Sequence, residues 1–147
     1  MAKVAVLGFG TVGSGVWEIL SKNADVCARR AGVPVEVGYI CDIRDFSGHE
    51  AAGLFVNNIE PILQDKAVKV VVETIGGLHP AYEYVRAALE SGRCAVTSNK
   101  ELVAEKGAEL MRIAKEHGAC FLFEASVGGG TPVIGPMHRD LAANHIL

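Results

Sequence analysis

Five short apolar runs punctuate the chain, at residues 4–7, 35–41, 68–73, 94–97 and 120–123. Each is rich in Val, Ile, Cys or Phe, and each is continuous rather than alternating. Continuous runs bounded by Gly or polar residues predict strands buried on both faces, as in a parallel sheet. Between them the apolar spacing changes to a helical one. Val12, Val16, Ile19, Leu20 and Cys27 fall at offsets 0, 4, 7, 8 and 15, which predicts one helix face following Gly10. Gly32 and Pro34 end that pattern before the second run. A second helix is predicted to open at Pro80, with Ala81, Tyr84, Ala88 and Leu89 facing inward and Gly92 as its stop. A third begins near Asn99, with a break expected at Gly107 and an end at Gly118. Asn57, Asn58 and Pro61 predict loops and short turns across 45–66.

Strand and helix thus alternate about five times, which predicts an α/β domain with a doubly wound, mainly parallel sheet. The length of 147 residues suits one domain of ordinary size. The division expected is a ligand-binding domain over 1–130 and, over 131–147, the start of a connection to a domain this chain lacks.

Charge and cysteine change the picture mainly by exclusion. With 14 basic and 17 acidic residues the net charge is -3, which offers no footprint for nucleic acid. No apolar stretch approaches the roughly 18 residues that span a bilayer, and the short run before Gly8 does not make a signal-peptide core. The four cysteines, at 27, 41, 94 and 120, contain no C-x-x-C pair, so reduced thiols and a cytoplasmic location are expected.

The first chemical signal is Gly8-Phe9-Gly10-Thr11-Val12-Gly13. It fits G-x-G-x-x-G, with an apolar strand before it and an amphipathic helix after it. Gly8 permits the tight turn, Gly10 lets backbone approach a pyrophosphate, and Gly13 lets the helix pack close to the strand. The helix N-terminus offers free N–H groups to phosphates. This predicts a Rossmann-like dinucleotide-binding domain. Asp42, at the end of the second run, is the candidate acid for the adenosine ribose. It lies 29 residues past Gly13 (42 minus 13), not the ~20 of the usual fingerprint. Arg44 stands close enough to meet a 2′-phosphate instead, so NAD and NADP both remain open.

Ligands of open α/β sheets bind beyond the carboxyl ends of the strands. The third run is followed by Thr74-Ile75-Gly76-Gly77, the fourth ends in Thr97 and continues with Ser98-Asn99-Lys100, and the fifth is followed by Glu124-Ala125-Ser126-Val127-Gly128-Gly129-Gly130-Thr131-Pro132. Lys100 stands at a helix start, against the dipole preference, which suits a grip on an anion, carbonyl or cofactor hydroxyl as well as simple exposure. Glu124, with backbone carbonyls nearby, suits a hard cation or, more simply, a turn cap. The histidines show no ligand spacing, and Trp17, Cys41 and Cys94 read as packing residues.

Four motifs, at 8–16, 73–77 (Glu-Thr-Ile-Gly-Gly), 96–104 (Val-Thr-Ser-Asn-Lys-Glu-Leu-Val-Ala) and 124–134, resemble homoserine dehydrogenase in order and spacing. The resemblance implies reversible reduction of aspartate 4-semialdehyde to L-homoserine with NAD(P)H, on the threonine and methionine pathway. It implies cofactor contacts from residues 8–13, from Asp42 and Arg44, and from the turns at 74–77 and 97–100. Within these, Thr11 and Val12 meet the phosphates, Thr74, Gly76 and Gly77 line the nicotinamide side, and Lys100 faces the active centre. It also implies a sodium site from Glu124 with the backbone carbonyls of Val127, Gly129 and Thr131, and a homodimer in the full-length enzyme. Ser98 stands where many relatives have Ala. Cys41 stands where many have a basic residue, which tilts the reading toward NAD. Pro136 suggests that the helix after Thr131 starts properly only there. Family members continue into a substrate and dimerisation domain, so the chain reads as a fragment that binds cofactor without turnover. The competing readings are the cofactor domain of another two-domain oxidoreductase, for a semialdehyde or a sugar, and a non-enzymatic domain that senses NAD(H).

Overall fold

The chain is described by a computed structural model that covers residues 1–141 and Ala143. Its elements run β1 (Ala2–Leu7), α1 (Thr11–Lys22), α2 (Ala24–Ala31), β2 (Val35–Cys41), a 3-10 turn (Ala52–Leu54), β3 (Phe55–Val56), α3 (Glu60–Gln64), β4 (Val68–Glu73), α4 (Ala81–Glu90), β5 (Cys94–Thr97), α5 (Lys100–Glu116), β6 (Phe121–Leu122), α6 (Glu124–Val127) and α7 (Ile134–Arg139). The six strands form one sheet in the order β3-β2-β1-β4-β5-β6, and all neighbours are parallel. This is the doubly wound dinucleotide-binding order, in which the strand sequence reverses between β1 and β4. Parallel neighbours need long connections, which α-helices supply except between β2 and β3, where a loop and the 3-10 turn do so.

The register positions the candidate site. Leu7 pairs with Cys41 on one side and Glu73 on the other, and Glu73 pairs with Thr97. Four strands therefore end level with one another, and the turns beginning at Gly8, Asp42, Thr74 and Ser98 leave the same edge of the sheet.

The core lies in three clusters. Val85, Leu89, Leu102, Leu110 and Phe121 pack α4 and α5 against β5 and β6. Leu7, Ile62, Val68 and Val71 fill the centre beside α3 and β4. Phe9, Ile40 and Ala51, with Trp17, Phe46 and Phe55 around them, close the side of β2 and β3. Trp17 is a packing residue, edge-on to Phe9 at 6.2 Å between ring centroids. His49 sits in the same group, 5.1 Å from Trp17, and its ring nitrogen accepts the Ala51 N–H.

Several expectations about the elements need correction. The first helix is two. Asn23 ends α1, its N–H donating to the Ile19 carbonyl, and α2 begins at the next residue. Of the expected face, Val16 and Leu20 do point inward, in a stripe with Gly13 and Trp17, whereas Val12 and Ile19 are 53% and 57% exposed. The two helices plus the Gly32–Pro34 loop account for the long interval between Gly13 and Asp42. Gly107 does not break α5, because a buried, well-packed helix tolerates one glycine at a cost near 1 kcal/mol. The stretch 45–66 contains a short edge strand, β3, and a short helix as well as turns. Finally, α7 starts two residues before Pro136, which then falls in the first turn where its missing N–H costs nothing.

Candidate cofactor site

The glycine-rich turn assigns a different duty to each glycine. Gly8 has φ +87°, a conformation that favours glycine, and a Cβ there would stand 3.0 Å from the Ile75 backbone. A Cβ on Gly13 would overlap the Gly8 carbonyl oxygen. Both positions are closed by packing. Gly10 differs, since a Cβ there would meet nothing within 4 Å. The empty volume above Gly10 fits a ligand that approaches the backbone. Gly10 is also the N-cap of α1 and supplies no side-chain cap, so first-turn N–H groups remain free to meet an anion. Thr11 and Val12, both exposed, lie in that turn.

Asp42 locks this turn to the end of β2. Its Oδ2 accepts the Phe9 N–H at 2.7 Å and Arg44 Nη2 at 2.8 Å, and its Oδ1 accepts the Arg44 backbone N–H at 2.9 Å and Nε at 3.0 Å. The Arg44 guanidinium, with the Phe9 and Arg44 backbone donors, holds the buried carboxyl down to about 2 against the cost of burial. Arg44 itself is 58% exposed and free to turn outward. Asp42 therefore stands at the end of β2 beside the glycine-rich turn, with Arg44 lying across its carboxylate oxygens.

Beside Asp42 a cavity of about 140 Å³ is lined by Ile43, Asn57, Ile75, Pro80 and Tyr84, with Cys41 at its base. It opens toward a larger space of about 380 Å³ over Gly8, Gly10, Arg44 and Thr74. Ile43 is 91% exposed. The two spaces share Gly8, Asp42, Ile43 and Ile75, so a mainly apolar slot at the end of β2 adjoins the space over the glycine turn. Sequence reading missed Ile43, Asn57 and Tyr84. They come from three separate segments, and only the fold brings them together.

On the other side of β1, the Thr74 hydroxyl donates to the Gly8 carbonyl at 2.8 Å and lies 3.0 Å from the Leu7 carbonyl. Thr74 is thus a clasp between two turns, and its hydroxyl is spoken for rather than offered to a nicotinamide. Gly76 and Gly77 both have positive φ, +82° and +70°, and open space where a side chain would go. Asn99 caps α5 by accepting the Leu102 N–H at 3.0 Å, and its amide donates to the Gly77 carbonyl at 2.6 Å. Lys100 follows as the first residue of α5, exposed, with no hydrogen bond or ion pair among the described residues. Ser98 is partly buried beside it. Thr97, Asn99 and Glu73 form a buried group, and Glu73 is the member that sequence reading left as part of a motif. The available signal was a carboxylate ending a strand that is otherwise valine but for the exposed Lys69.

Glu124 has a different surrounding from the one expected. Its Oε1 accepts the N–H groups of Val133 and Ile134, and its Oε2 accepts that of Gly135 at 2.8 Å. These three donors hold its carboxyl below the usual range. The Glu124 carboxylate caps the start of α7, facing N–H dipoles whose positive ends are the opposite of what a cation requires. Val127, Gly129 and Thr131 lie in and after α6, all exposed. No group of three or more His, Cys, Asp or Glu side chains among the described residues is placed to hold a metal. The Glu124 carboxylate, taken up by three N–H donors, does not offer its oxygens to sodium in this arrangement.

Comparison with known proteins decides the family. Residues 8–124 match the family described as "Homoserine dehydrogenase, NAD binding domain". The chain belongs to the homoserine dehydrogenase family. The homoserine dehydrogenase of Pseudomonas aeruginosa is 40% identical over 145 residues, which are 98% of this chain and 33% of that protein. The crystal structure of a homoserine dehydrogenase from Thiobacillus denitrificans superposes with a TM-score of 0.89 at 39% identity, covering 97% of this chain and 34% of that one. A hyperthermophilic archaeal homoserine dehydrogenase solved in complex with NADPH gives a TM-score of 0.75 at 29% identity, over 92% of this chain and 47% of that one. The chain spans about a third of the length of the curated relatives it matches. Among the described residues no helix is long and apolar enough to cross a membrane.

Proposed function

We propose that this chain holds the dinucleotide in a homoserine dehydrogenase, serving reversible hydride transfer between NAD(P)H and aspartate 4-semialdehyde to give L-homoserine. The observation that carries this reading is the open position above Gly10 at an uncapped helix N-terminus, on the sheet edge shared by Asp42, Thr74 and Asn99. The chemistry supplied by the nicotinamide, when bound, is a hydride at its C4. The chain's part is to bind and orient. N–H groups of α1 meet the pyrophosphate, the slot beside Ile43 and Tyr84 takes the adenine, and Gly76 and Gly77 leave room for the nicotinamide side. Lys100, unpaired within the described residues, is placed to steady a cofactor hydroxyl or the developing charge on a substrate oxygen.

NAD is the favoured cofactor in this reading. A buried carboxylate held near a pKa of about 2 stays charged at neutral pH and repels a 2′-phosphate. Arg44 keeps NADP accessible, and the archaeal relative in complex with NADPH supports that cofactor within the family. The chain alone is expected to bind cofactor and to show no homoserine oxidation. The complete enzyme is proposed to be a cytoplasmic homodimer that acts on small-molecule substrates. Sodium has no part in the proposal.

The test is amide NMR of the labelled chain during addition of NAD. The reading expects shifts at Phe9–Gly13, around Ile43, at Ile75–Gly77 and at Ser98–Lys100. Shifts confined to another surface would refute it.

A further inference from the structure

Glu73 ends β4 with no exposed surface and no cationic partner among the described residues. Its two oxygens face two different turns. Oε1 accepts the N–H of Ile75 at 2.7 Å and of Gly76 at 3.2 Å. Oε2 accepts the hydroxyl of Thr97 in a short hydrogen bond. Thr97 Oγ1 accepts in turn the Asn99 N–H at 2.9 Å, and the Asn99 amide returns to the Gly77 carbonyl at 2.6 Å. The bonds close a ring: Glu73, the 75–77 turn, Asn99, Thr97 and back to Glu73. The ring spans the gap between β4 and β5, and every bond in it is made by a group at a strand end or in a turn.

Three features make a carboxylate the fitting centre. All the groups that face it are donors, so an acceptor-only side chain satisfies them without an unplaced proton. Charge-assisted bonds to backbone N–H are stronger than neutral ones. The pinned turn contains two successive glycines at positive φ, a backbone with wide freedom that only these bonds restrict. The other branch ends in Asn99, whose Oδ1 fixes the first turn of α5 and with it the base of Lys100.

We infer that Glu73 is a positioning residue, which sets the nicotinamide-side glycine turn and the base of Lys100 in one fixed relation while touching neither cofactor nor substrate. This rests on the proposed cofactor reading above. It deepens that reading by separating the two ends of the site. The adenosine end is held by Asp42 and the glycine-rich turn, whereas Glu73 holds the nicotinamide end and reaches the adenosine slot only through the Ile75 backbone.

The experiment compares two ligands on the 147-residue chain and on its Glu73→Ala, Glu73→Gln and Thr97→Val forms. NAD reports both ends of the site, and ADP-ribose, which lacks nicotinamide, reports the adenosine end. Titration calorimetry gives the affinities, and the emission of bound NADH reports the surroundings of its ring. Glu73→Ala and Thr97→Val are expected to weaken NAD about tenfold, a change of about 1.4 kcal/mol, and to remove the emission change. ADP-ribose is expected to stay within about twofold of the parent. Glu73→Gln, which can still accept two N–H bonds, is expected to recover most of the loss. Equal losses for both ligands, or no loss of NAD affinity in Thr97→Val, would overturn the inference. So would an unfolded Thr97→Val, since that isosteric change would then assign the ring to stability alone. A parent chain that binds neither ligand would instead overturn the proposed function itself.

Discussion

Asp42 accepts the backbone N–H of Phe9 at 2.7 Å, so the acid at the end of β2 holds the glycine-rich turn at the end of β1. The same carboxylate is the group that a ribose hydroxyl would approach. In the proposed reading one residue thus shapes the phosphate-binding turn and selects the sugar. Replacing it with Ala leaves the Phe9 N–H unpaired in a buried place, which costs about 2 kcal/mol. Asp42→Ala is expected to lower the unfolding midpoint and to abolish NAD binding, as read by denaturant melts and titration.

Acid should weaken the fold through the same group. The carboxyl is lowered from its ordinary value of 3.8 to about 2 in the folded chain. Its stabilising effect is therefore complete above about pH 4 and is lost as the pH falls through the folded value near 2. A stability-against-pH series should fall more gently in Asp42→Asn than in the parent over that interval. Parallel curves would rule out the contribution.

Gly10 and Gly13 should separate binding from folding. Gly13→Ala drives a methyl into the Gly8 carbonyl, and overpacking of this kind costs about 3 kcal/mol. Gly10→Ala meets only open space in the folded chain. It is expected to leave the thermal midpoint within a degree or two, since surface changes move stability by at most about 0.5 kcal/mol, and to weaken NAD at least tenfold by filling the phosphate path. Normal NAD affinity in Gly10→Ala would mean that the phosphates lie elsewhere.

Arg44 decides how far the site admits a 2′-phosphate. In the proposed reading its side chain moves off Asp42 in either case, freeing the carboxylate for the hydroxyls of NAD or turning to the phosphate of NADP. Arg44→Ala is expected to hold NAD within about threefold of the parent and to weaken NADP about tenfold or more. Equal losses would show that Arg44 serves the turn rather than cofactor choice.

Glu124 is expected to behave as a helix cap. Exchange of sodium for potassium at constant ionic strength should leave both the unfolding midpoint and NAD affinity unchanged. Glu124→Ala should speed amide exchange at Val133–Gly135 while the sheet amides stay protected. A sodium-dependent gain in affinity would restore the cation role.

Much of this was legible because period and punctuation agreed. The runs at 35–41, 68–73 and 94–97 are strands with those bounds, since parallel strands buried by helices leave continuous apolar text. The glycine turn was legible because each glycine has its own steric cause. The α1–α2 break was not, because Asn23 stops a helix through a local backbone bend inside an apolar pattern that continues to Cys27. The edge strand Phe55–Val56 is two residues long, too short to leave a period. Glu73 was visible only as a motif letter. Its meaning depends on Thr97, 24 residues away, coming level with it in the sheet. The capping role of Glu124 stayed one of two readings because sequence shows the acid and its glycines but not the direction of the N–H groups at 133–135.

Calorimetric titration of the folded chain with NAD, and then with NADP at the same salt, tests the central claim most directly. Saturable binding at one site, with NAD the tighter ligand, is the predicted result. A chain shown by circular dichroism to be folded, yet taking up neither dinucleotide, would contradict the account.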